Sequence, residues 1–419
     1  MRVQKLLVIM LLGGTGWLSG CGQPPPARFA LHSRTEELIP EGKQVVEQVL
    51  QEHFGNPNQL VAWEKFPIDY GAAQPDSDNS DRKQPGWRLK EGRNLYMQHC
   101  LHCHGVAGDG AGPTARFLNP RPRDYRQGIF KFKSTLAAVK PSRADLERIL
   151  KQGIPGTYMP SFVLLGDEKL GMLSDYVRWL SCRGEMEIQL SAKVAAAGAL
   201  KKDVDRQAQE EKTKPKGEKR STRKELEAEV MQVVNEELAE NIQTISSDLA
   251  ELWSNAESPE NVITPKVRRT PPTKDSIARG KKLYLSQVEG KKTQCADCHG
   301  PLGRGDGPNT EQYWEVPGST PKRNYDTVGL HDIWGFPQKP RNLTRGIYRG
   351  GRRPADLYRR IFAGIQGTQM PAFGVTVLND EEIWDLVNYV LSIPFDGQSS
   401  PYPEEAPEEP HEEVATSGD

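Results

Sequence analysis

The amino-acid sequence predicts an all-α protein in which two related domains are joined by a long, charged, largely helical linker. The first observation is an internal repeat, since residues 87–182 and 274–396 carry the same residues at many matching offsets, as duplicated domains do. The second is that each copy ends in an apolar, aromatic segment of helical character. The third is the charged segment between the copies, where apolar residues recur every three or four positions.

Length and composition fit this organisation. The 419 residues leave room for two or three domains. Hydrophobic residues make up 36% and charged residues 26%, with 39 glycines and 32 prolines, which indicates compact modules joined by polar segments. The formal net charge of −1 argues against a nucleic-acid-binding protein, which usually carries a basic excess.

The N-terminus has the features of an export signal. Arg2 and Lys5 precede a short apolar run at 6–12, and small residues lead into Cys21. The run is too short for a transmembrane helix. Residues 18–21 resemble the lipobox of bacterial lipoproteins, which implies lipid attachment at Cys21, and several acyl chains make a stable anchor. We expect an exported chain, lipid-anchored to a bacterial membrane and facing the periplasm; ordinary cleavage beside a chance cysteine is the alternative.

The composition along the chain divides it into six segments. The second contains a short helix near 41–53 and is expected to wrap the first domain or to space it from the membrane, and the last is acidic and expected to be disordered. The segments are a lipoprotein signal peptide at 1–20, a tether at 21–86, domain 1 at 87–182, the linker at 183–273, domain 2 at 274–396 and the tail at 397–419.

The repeat identifies which positions the two domains share and where they differ. The shared positions include Gly92 and Gly280, Tyr96 and Tyr284, Pro113 and Pro308, Arg123 and Arg341, Asp145 and Asp356, and Met159 and Met370. The largest difference is an insertion in the second copy, mainly residues 309–336. Length changes of this kind belong on surface loops.

The apolar stripe of the linker, from Leu226 to Leu252, predicts an amphipathic helix. It allows two interpretations. The stripe packs against a domain of the same chain, or residues 226–253 form a coiled coil that pairs subunits or docks a partner.

Two Cys-x-x-Cys-His motifs, at 100–104 and 295–299, carry the chemistry. Two thiols three positions apart on one helical turn can bond to the two vinyl groups of one porphyrin, and the next histidine then lies under the iron. Zinc would require four protein ligands close together, and neither copy offers a second Cys pair nearby. The motifs therefore predict two covalently bound c-type haems. The attachment residues are Cys100, Cys103, Cys295 and Cys298, and the iron ligands are His104 and His299.

Each haem needs a sixth ligand, and Met159 and Met370 are the candidates. A lone methionine is usually core filler. These two, however, lie in the same Gly-Ile-x-Gly-Thr-x-Met-Pro setting, one after each motif. Glycine and proline fix an irregular loop that can present a thioether sulfur to the iron.

With these motifs, both segments resemble the class I cytochrome c family. The resemblance implies a small all-helical fold in which the last helix crosses the first, with Gly92 and Gly280 as close-contact glycines of the crossing. Their implied partners are Tyr176, Trp179, Trp384 and Tyr389. It also implies that the loops at Pro113 and Pro308 supply the backbone carbonyl that accepts the hydrogen bond of the ligand histidine.

Other residues near the motifs allow further predictions. Arg123 and Arg341 each follow a proline and are candidates for pairing with haem propionates, since guanidinium suits carboxylates; exposed loop arginines are the alternative. The extra histidines His99, His102 and His331 are expected at the surface. Cys182 is left over as a half-buried thiol after a helix or as an interchain disulfide partner.

Histidine with methionine is an axial pair of electron-transfer cytochromes and leaves no open position for a substrate. We therefore expect an electron carrier, not an enzyme, that relays electrons between unidentified donor and acceptor proteins of a respiratory chain. The alternatives are a fixed di-haem subunit of a terminal oxidase or another respiratory complex, a di-haem peroxidase, in which one haem must open a coordination site, and an anchored redox scaffold or sensor.

Overall fold

The computed structural model describes residues 27–374 and 376–396. The predicted signal peptide at 1–20, the predicted lipid attachment at Cys21 and the acidic tail from residue 397 lie outside the described residues. Within them the secondary structure elements are helices, apart from one short antiparallel hairpin, β1 (Gly55–Asn56) with β2 (Gln59–Leu60). The all-α prediction is confirmed.

Domain 1 contains four helices. They are α3 (Trp87–His99), α4 (Leu101–His104), α5 (Arg143–Gln152) and α6 (Asp167–Val194). The repeated acid Asp145 lies in the first turn of α5, where its carboxylate and the hydroxyl of the N-cap residue Ser142 cap each other's backbone N–H groups. Helix α6 continues past the predicted domain boundary at 182, because its apolar residues beyond that point are buried as well.

Domain 2 repeats the arrangement with α9 (Lys274–Tyr284), α10 (Cys295–His299), α11 (Pro354–Ala363) and α12 (Asp380–Ser392). Asn379 and Glu382 form a capping box at the start of α12. The core of domain 2 is built mainly from α9, α11 and α12 and is smaller than that of domain 1.

The last helix of each domain crosses the first at a glycine, as predicted. A Cβ atom at Gly92 would stand 2.3 Å from the backbone oxygen of Met172, and one at Gly280 would stand 2.1 Å from that of Asp385. Tyr176 and Tyr389 are the side chains beside these glycines. Trp179 and Trp384 do not pack there, because their indoles turn away and donate hydrogen bonds to the carbonyls of Val61 and Val267.

The segment before domain 1 wraps around it. Helix α1 (Ser33–Glu36) and helix α2 (Pro40–Phe54) pack against α6, and the apolar face of α2 joins the core of domain 1. The helix predicted near 41–53 is confirmed. Of the two roles predicted for the tether, residues 29–66 perform the wrapping, because side chains such as Phe54 and Phe66 are buried.

The linker forms α7 (Lys201–Thr213) and the long helix α8 (Arg223–Asn255). The apolar stripe of α8 packs on α6, which is the intramolecular alternative of the two left open by the sequence. Trp253 is fully buried and donates a hydrogen bond of 2.8 Å to Glu185. Val233 and Leu252 are the exposed members of the stripe.

The two domains also contact each other directly. Residues 134–136 of domain 1 pair with residues 261–263, near the end of the linker, through backbone hydrogen bonds of 2.8 and 2.9 Å. Arg148 donates to the carbonyl of Gly350 at 3.2 Å, and the ammonium of Lys131 donates to the side chain of Gln338 at 2.6 Å. These contacts hold the haem motifs of the two domains on facing sides of one interface.

No helix in the part of the chain that the structure describes is both long enough and apolar enough to span a membrane.

Candidate functional site

Each Cys-x-x-Cys-His motif forms a short helical turn directly after or near the first helix of its domain. The turn is held by a tyrosine from that helix. The hydroxyl of Tyr96 donates to the carbonyl of Gly105 at 2.8 Å, and the hydroxyl of Tyr284 donates to that of Gly300 at 2.7 Å. The matching tyrosines of the repeat therefore fix the residue that follows each motif histidine.

The two motif histidines have the same hydrogen bond. The Nδ1 atom of His104 lies 3.1 Å from the carbonyl oxygen of Arg123, and that of His299 lies 3.1 Å from the carbonyl oxygen of Arg341. A carbonyl only accepts, so Nδ1 carries the proton and the lone pair of Nε2 is available for iron. Burial lowers the pKa of His104 to about 4 and also lowers that of His299, which keeps both rings neutral, as metal ligation requires.

The prediction that the Pro113 and Pro308 loops accept this hydrogen bond is wrong. Those loops pack on the motif turn instead, where the N–H of Gly112 bonds to the carbonyl of Cys103 and that of Gly307 to the carbonyl of Cys298, each at 3.2 Å. These loops therefore contact the motif turn at its second cysteine. The segments that contact the histidine rings come later in the sequence, directly after Pro122 and Pro340.

The two methionine loops share one hydrogen-bond pattern. The hydroxyl of Thr157 accepts the N–H of Met159 at 3.1 Å and donates to the carbonyl of Ile154 at 2.8 Å. Thr368 makes the same pair of bonds around Met370, at 3.2 and 2.7 Å. The threonine of the repeated motif thus closes a tight loop that carries the methionine at its end.

One cavity of about 790 Å³ joins the two motifs. Both cysteine pairs, both motif histidines and both methionines line it, together with apolar side chains from the two cores. Sequence reasoning predicted these residues but not that both sets open into a shared space.

The charge of the lining tests whether this cavity fits haem. Among the described residues no Asp or Glu lines it, whereas eight cations do: Arg121, Arg123, Lys131, Lys292, Lys339, Arg341, Arg349 and Arg360. The Nε atom of Arg349 is buried without a hydrogen-bond partner among these residues. An apolar cavity with this lining suits a flat apolar group that carries carboxylates, as the propionates of haem do.

The two arginines predicted as propionate contacts lie in different surroundings. Arg123 is half-buried, with its guanidinium carbon 3.8 Å from the ring centroid of Trp334, and desolvation lowers its pKa to about 10. Arg341 is half-buried and donates to the carbonyl of Ile347 at 2.7 Å. Both line the cavity.

Some residues that line the cavity were not predicted from the sequence. Lys131 lines the cavity from domain 1, and burial lowers its pKa to about 7. Arg349 and Arg360 belong to the arginine-rich stretch at 341–360, whose single acid is Asp356; that imbalance was the available signal. His331 was predicted at the surface, and this is wrong, because it is buried, stacks on Tyr325 with ring centroids 3.9 Å apart and lines the cavity.

The cysteines fall into two groups. Burial raises the pKa of Cys100 and of Cys295 to about 12, so the first thiol of each motif is neutral in the bare polypeptide. Cys182 is fully buried inside α6, and burial raises its pKa as well. Of the two alternatives for Cys182, the structure favours a core thiol, one more deeply buried than predicted.

A protein-family model matches both haem segments of the chain. The family model for cytochrome c matches residues 89–181 and 277–394, each of which contains one motif and one methionine loop. A chain of the Kuenenia stuttgartiensis reducing HAO-like protein complex is 26% identical, with a TM-score of 0.47, over 73% of this chain and 96% of that one. None of the curated proteins matches this chain.

Proposed function

The chain belongs to the cytochrome c family, and from this premise we propose that it is a membrane-anchored di-haem cytochrome that relays electrons between respiratory proteins. The family carries covalently bound c-type haem, and the two domains account for two haems. Haem iron supplies one-electron oxidation and reduction.

The observation that carries the proposal is the shared cavity. Both motifs and both methionines line one space at the domain interface. Each motif supplies two thiols for covalent attachment and a neutral imidazole whose Nδ1–H is already bonded to a backbone carbonyl. The second-domain site therefore opens toward the first, as a relay within one chain requires.

We assign the sixth ligand of each site to Met159 and Met370. Their loops are closed by the same threonine bonds, and both side chains line the cavity with the motif histidines. A soft thioether favours reduced iron and raises the potential. With six ligands at both sites no coordination position stays open for peroxide, which argues for a carrier over an enzyme.

The cationic lining has a second role in the proposal. Arg123, Arg341 and the other cations of the cavity would neutralise the propionates, which are otherwise costly to bury. The positive charge at the interface also favours the reduced state of iron. The cationic lining would thereby raise the potential of both haems.

The relay assignment makes a spectroscopic prediction. The oxidised, unmodified protein should show two low-spin haems and should not bind cyanide or peroxide, because histidine and methionine fill both axial positions. Absorption and electron paramagnetic resonance spectra with and without cyanide measure this. A high-spin haem, or rapid cyanide binding at either site, would show that this site performs catalysis and not relay.

A fixed subunit of a respiratory complex is the second candidate. The side chains beside the first methionine loop favour it, since Tyr158, Val163 and Leu164 are exposed apolar residues, with Leu164 98% exposed. Exposed apolar clusters of this kind often mark protein interfaces. In this case the haem pair would serve one permanent neighbour.

One purification distinguishes anchor and partners. The wild-type protein should fractionate with the membrane, and Cys21→Ser should appear in the soluble exported fraction, because the acyl chains attach through that sulfur. Cys182→Ser serves as the control and should remain with the membrane. Membrane retention of Cys21→Ser would contradict lipidation, and stoichiometric companion chains in the mild-detergent extract would favour the fixed subunit.

A further inference from the structure

The insertion of the second domain faces the first domain. Three of its last side chains each contact a cation that lies after the first haem motif. The pairs are Asp332 with Lys131 at 3.9 Å, Trp334 with Arg123 at 3.8 Å and Phe336 with Arg121 at 5.3 Å. This part of the insertion is therefore an internal contact between domains and not only a surface loop.

Trp334 connects the two haem sites. On one side its ring stacks on the guanidinium of Arg123. The backbone carbonyl of the same arginine accepts the Nδ1–H of His104. A single residue of domain 1 thus separates this tryptophan of domain 2 from the first motif histidine.

On its other side Trp334 packs against the second methionine loop. A Cβ atom at Gly367 would stand 2.7 Å from Cζ3 of the indole, and the φ of that glycine is +74°, so a side chain there is excluded by both contact and conformation. The N–H of Ile333 bonds to the carbonyl of Gly367 at 3.3 Å. The loop that ends in Met370 is therefore packed on the insertion.

The reciprocal contact comes from Arg341. A Cβ atom at Gly156, in the Met159 loop, would stand 2.6 Å from Nη2 of Arg341. The backbone carbonyl of Arg341 holds His299. Each methionine loop thus contacts the arginine that supports the histidine of the other haem, directly in one case and through Trp334 in the other.

We propose that Trp334 and Arg341 are positioning residues that couple the two axial-ligand sets, so that the packing of each methionine loop affects the potential of the opposite haem. The inference rests on the proposed relay function, and it gives that function a structural basis for cooperation between the two haems. Two contacts between packed groups carry the coupling, and both join domain 1 to domain 2. They are Trp334 with Arg123 and Arg341 with Gly156.

The physical consequence differs for the two haems when Trp334 is removed. Water reaches the guanidinium of Arg123 and screens its charge, so reduced iron at the first haem loses stabilisation and its potential falls. The second methionine loop loses the ring that packs on Gly367, so the bond from Met370 to iron becomes easier to displace. A residue of domain 2 thus alters the potential of domain 1.

The test compares Trp334→Ala, Trp334→Phe and Tyr313→Ala in the full-length, haem-loaded protein. Tyr313 is an exposed aromatic residue of the same insertion and is the matched control. Potentiometric titration should show the oxidation–reduction equilibrium of the first haem shifted roughly threefold to thirtyfold toward oxidised iron in Trp334→Ala, the size expected for losing a cation–aromatic contact. Trp334→Phe should keep the potential of the first haem close to that of the unmodified protein, and Tyr313→Ala should leave both potentials unchanged.

A change confined to the second haem, or no change in either potential, would overturn the coupling. Haem content per chain confirms that each variant is folded and loaded. Arg341→Met provides the reciprocal arm and should weaken the Met159–iron band in the far red. Failure of the relay function would instead appear as cyanide binding in the unmodified protein, so the two failures are distinguishable.

Discussion

Replacing Met370 with alanine should open the sixth position of the second haem and leave that of the first filled. The weak methionine-to-iron band in the far red should fall to about half. The potential of the second haem should drop strongly, within the roughly 0.8 V over which axial ligands tune haem iron. The reason is that water or hydroxide, both harder ligands than a thioether, takes the vacant position and favours oxidised iron.

Three further variants make the experiment specific. Met159→Ala should give the same loss at the first haem, and the double variant should abolish the far-red band. Met231→Ala is the control, since this methionine lies on α8, packs at the edge of the first core and does not line the cavity. Spectra and potentiometric titrations provide the measurement. A full band in Met370→Ala would mean that another residue ligates the iron.

Much of this site could be predicted because the duplication doubled every local signal. Glycine at a helix crossing is one such signal, and both crossings lie at the predicted positions, Gly92 and Gly280. The threonine-closed methionine loops follow from a shared eight-residue pattern whose residue types allow few backbone conformations. Constraints that are local and depend on residue type can be predicted from the sequence.

The acceptor of the histidine hydrogen bond could not be predicted in this way. Every residue, proline included, offers a backbone carbonyl. The residue types at 123 and 341 therefore do not indicate that these positions accept the hydrogen bond. The choice depends on where the chain passes the ring in three dimensions. Family resemblance pointed to the Gly-Pro loops, which instead bond to the motif turn.

The shared cavity was also beyond the sequence, because it depends on how two domains dock. The insertion 309–336 gave the clearest hint, since the copies differ most there. Its length suggested an exposed loop, yet Asp332 and Trp334 turn inward to contact cations of domain 1. Complementarity between distant segments has no periodic pattern that a sequence could display.

Replacing Gly280 with valine should unfold domain 2 preferentially. A Cβ at this position would stand 2.1 Å from the backbone oxygen of Asp385 and 2.8 Å from Cβ of Tyr389, so helices α9 and α12 must separate. Overpacking of a core typically costs about 1–3 kcal/mol and sometimes more. We expect at least about 3 kcal/mol here, because the obstacle is backbone and cannot rotate away.

The exposed Ala278→Val on the same helix is the matched control, since it introduces the same β-branched side chain without the crossing contact. Denaturant unfolding, followed through the absorption of each haem, should show the second-haem transition moved to lower denaturant in Gly280→Val and unchanged in Ala278→Val.

Gly92→Val meets a comparable obstacle, the oxygen of Met172 at 2.3 Å, but domain 1 is further stabilised by α2 and α8 packed on α6. Its first-haem transition should therefore survive at higher denaturant than the second-haem transition of Gly280→Val. Equal stability of the two variants would mean that the wrapping segment and the linker add nothing to domain 1.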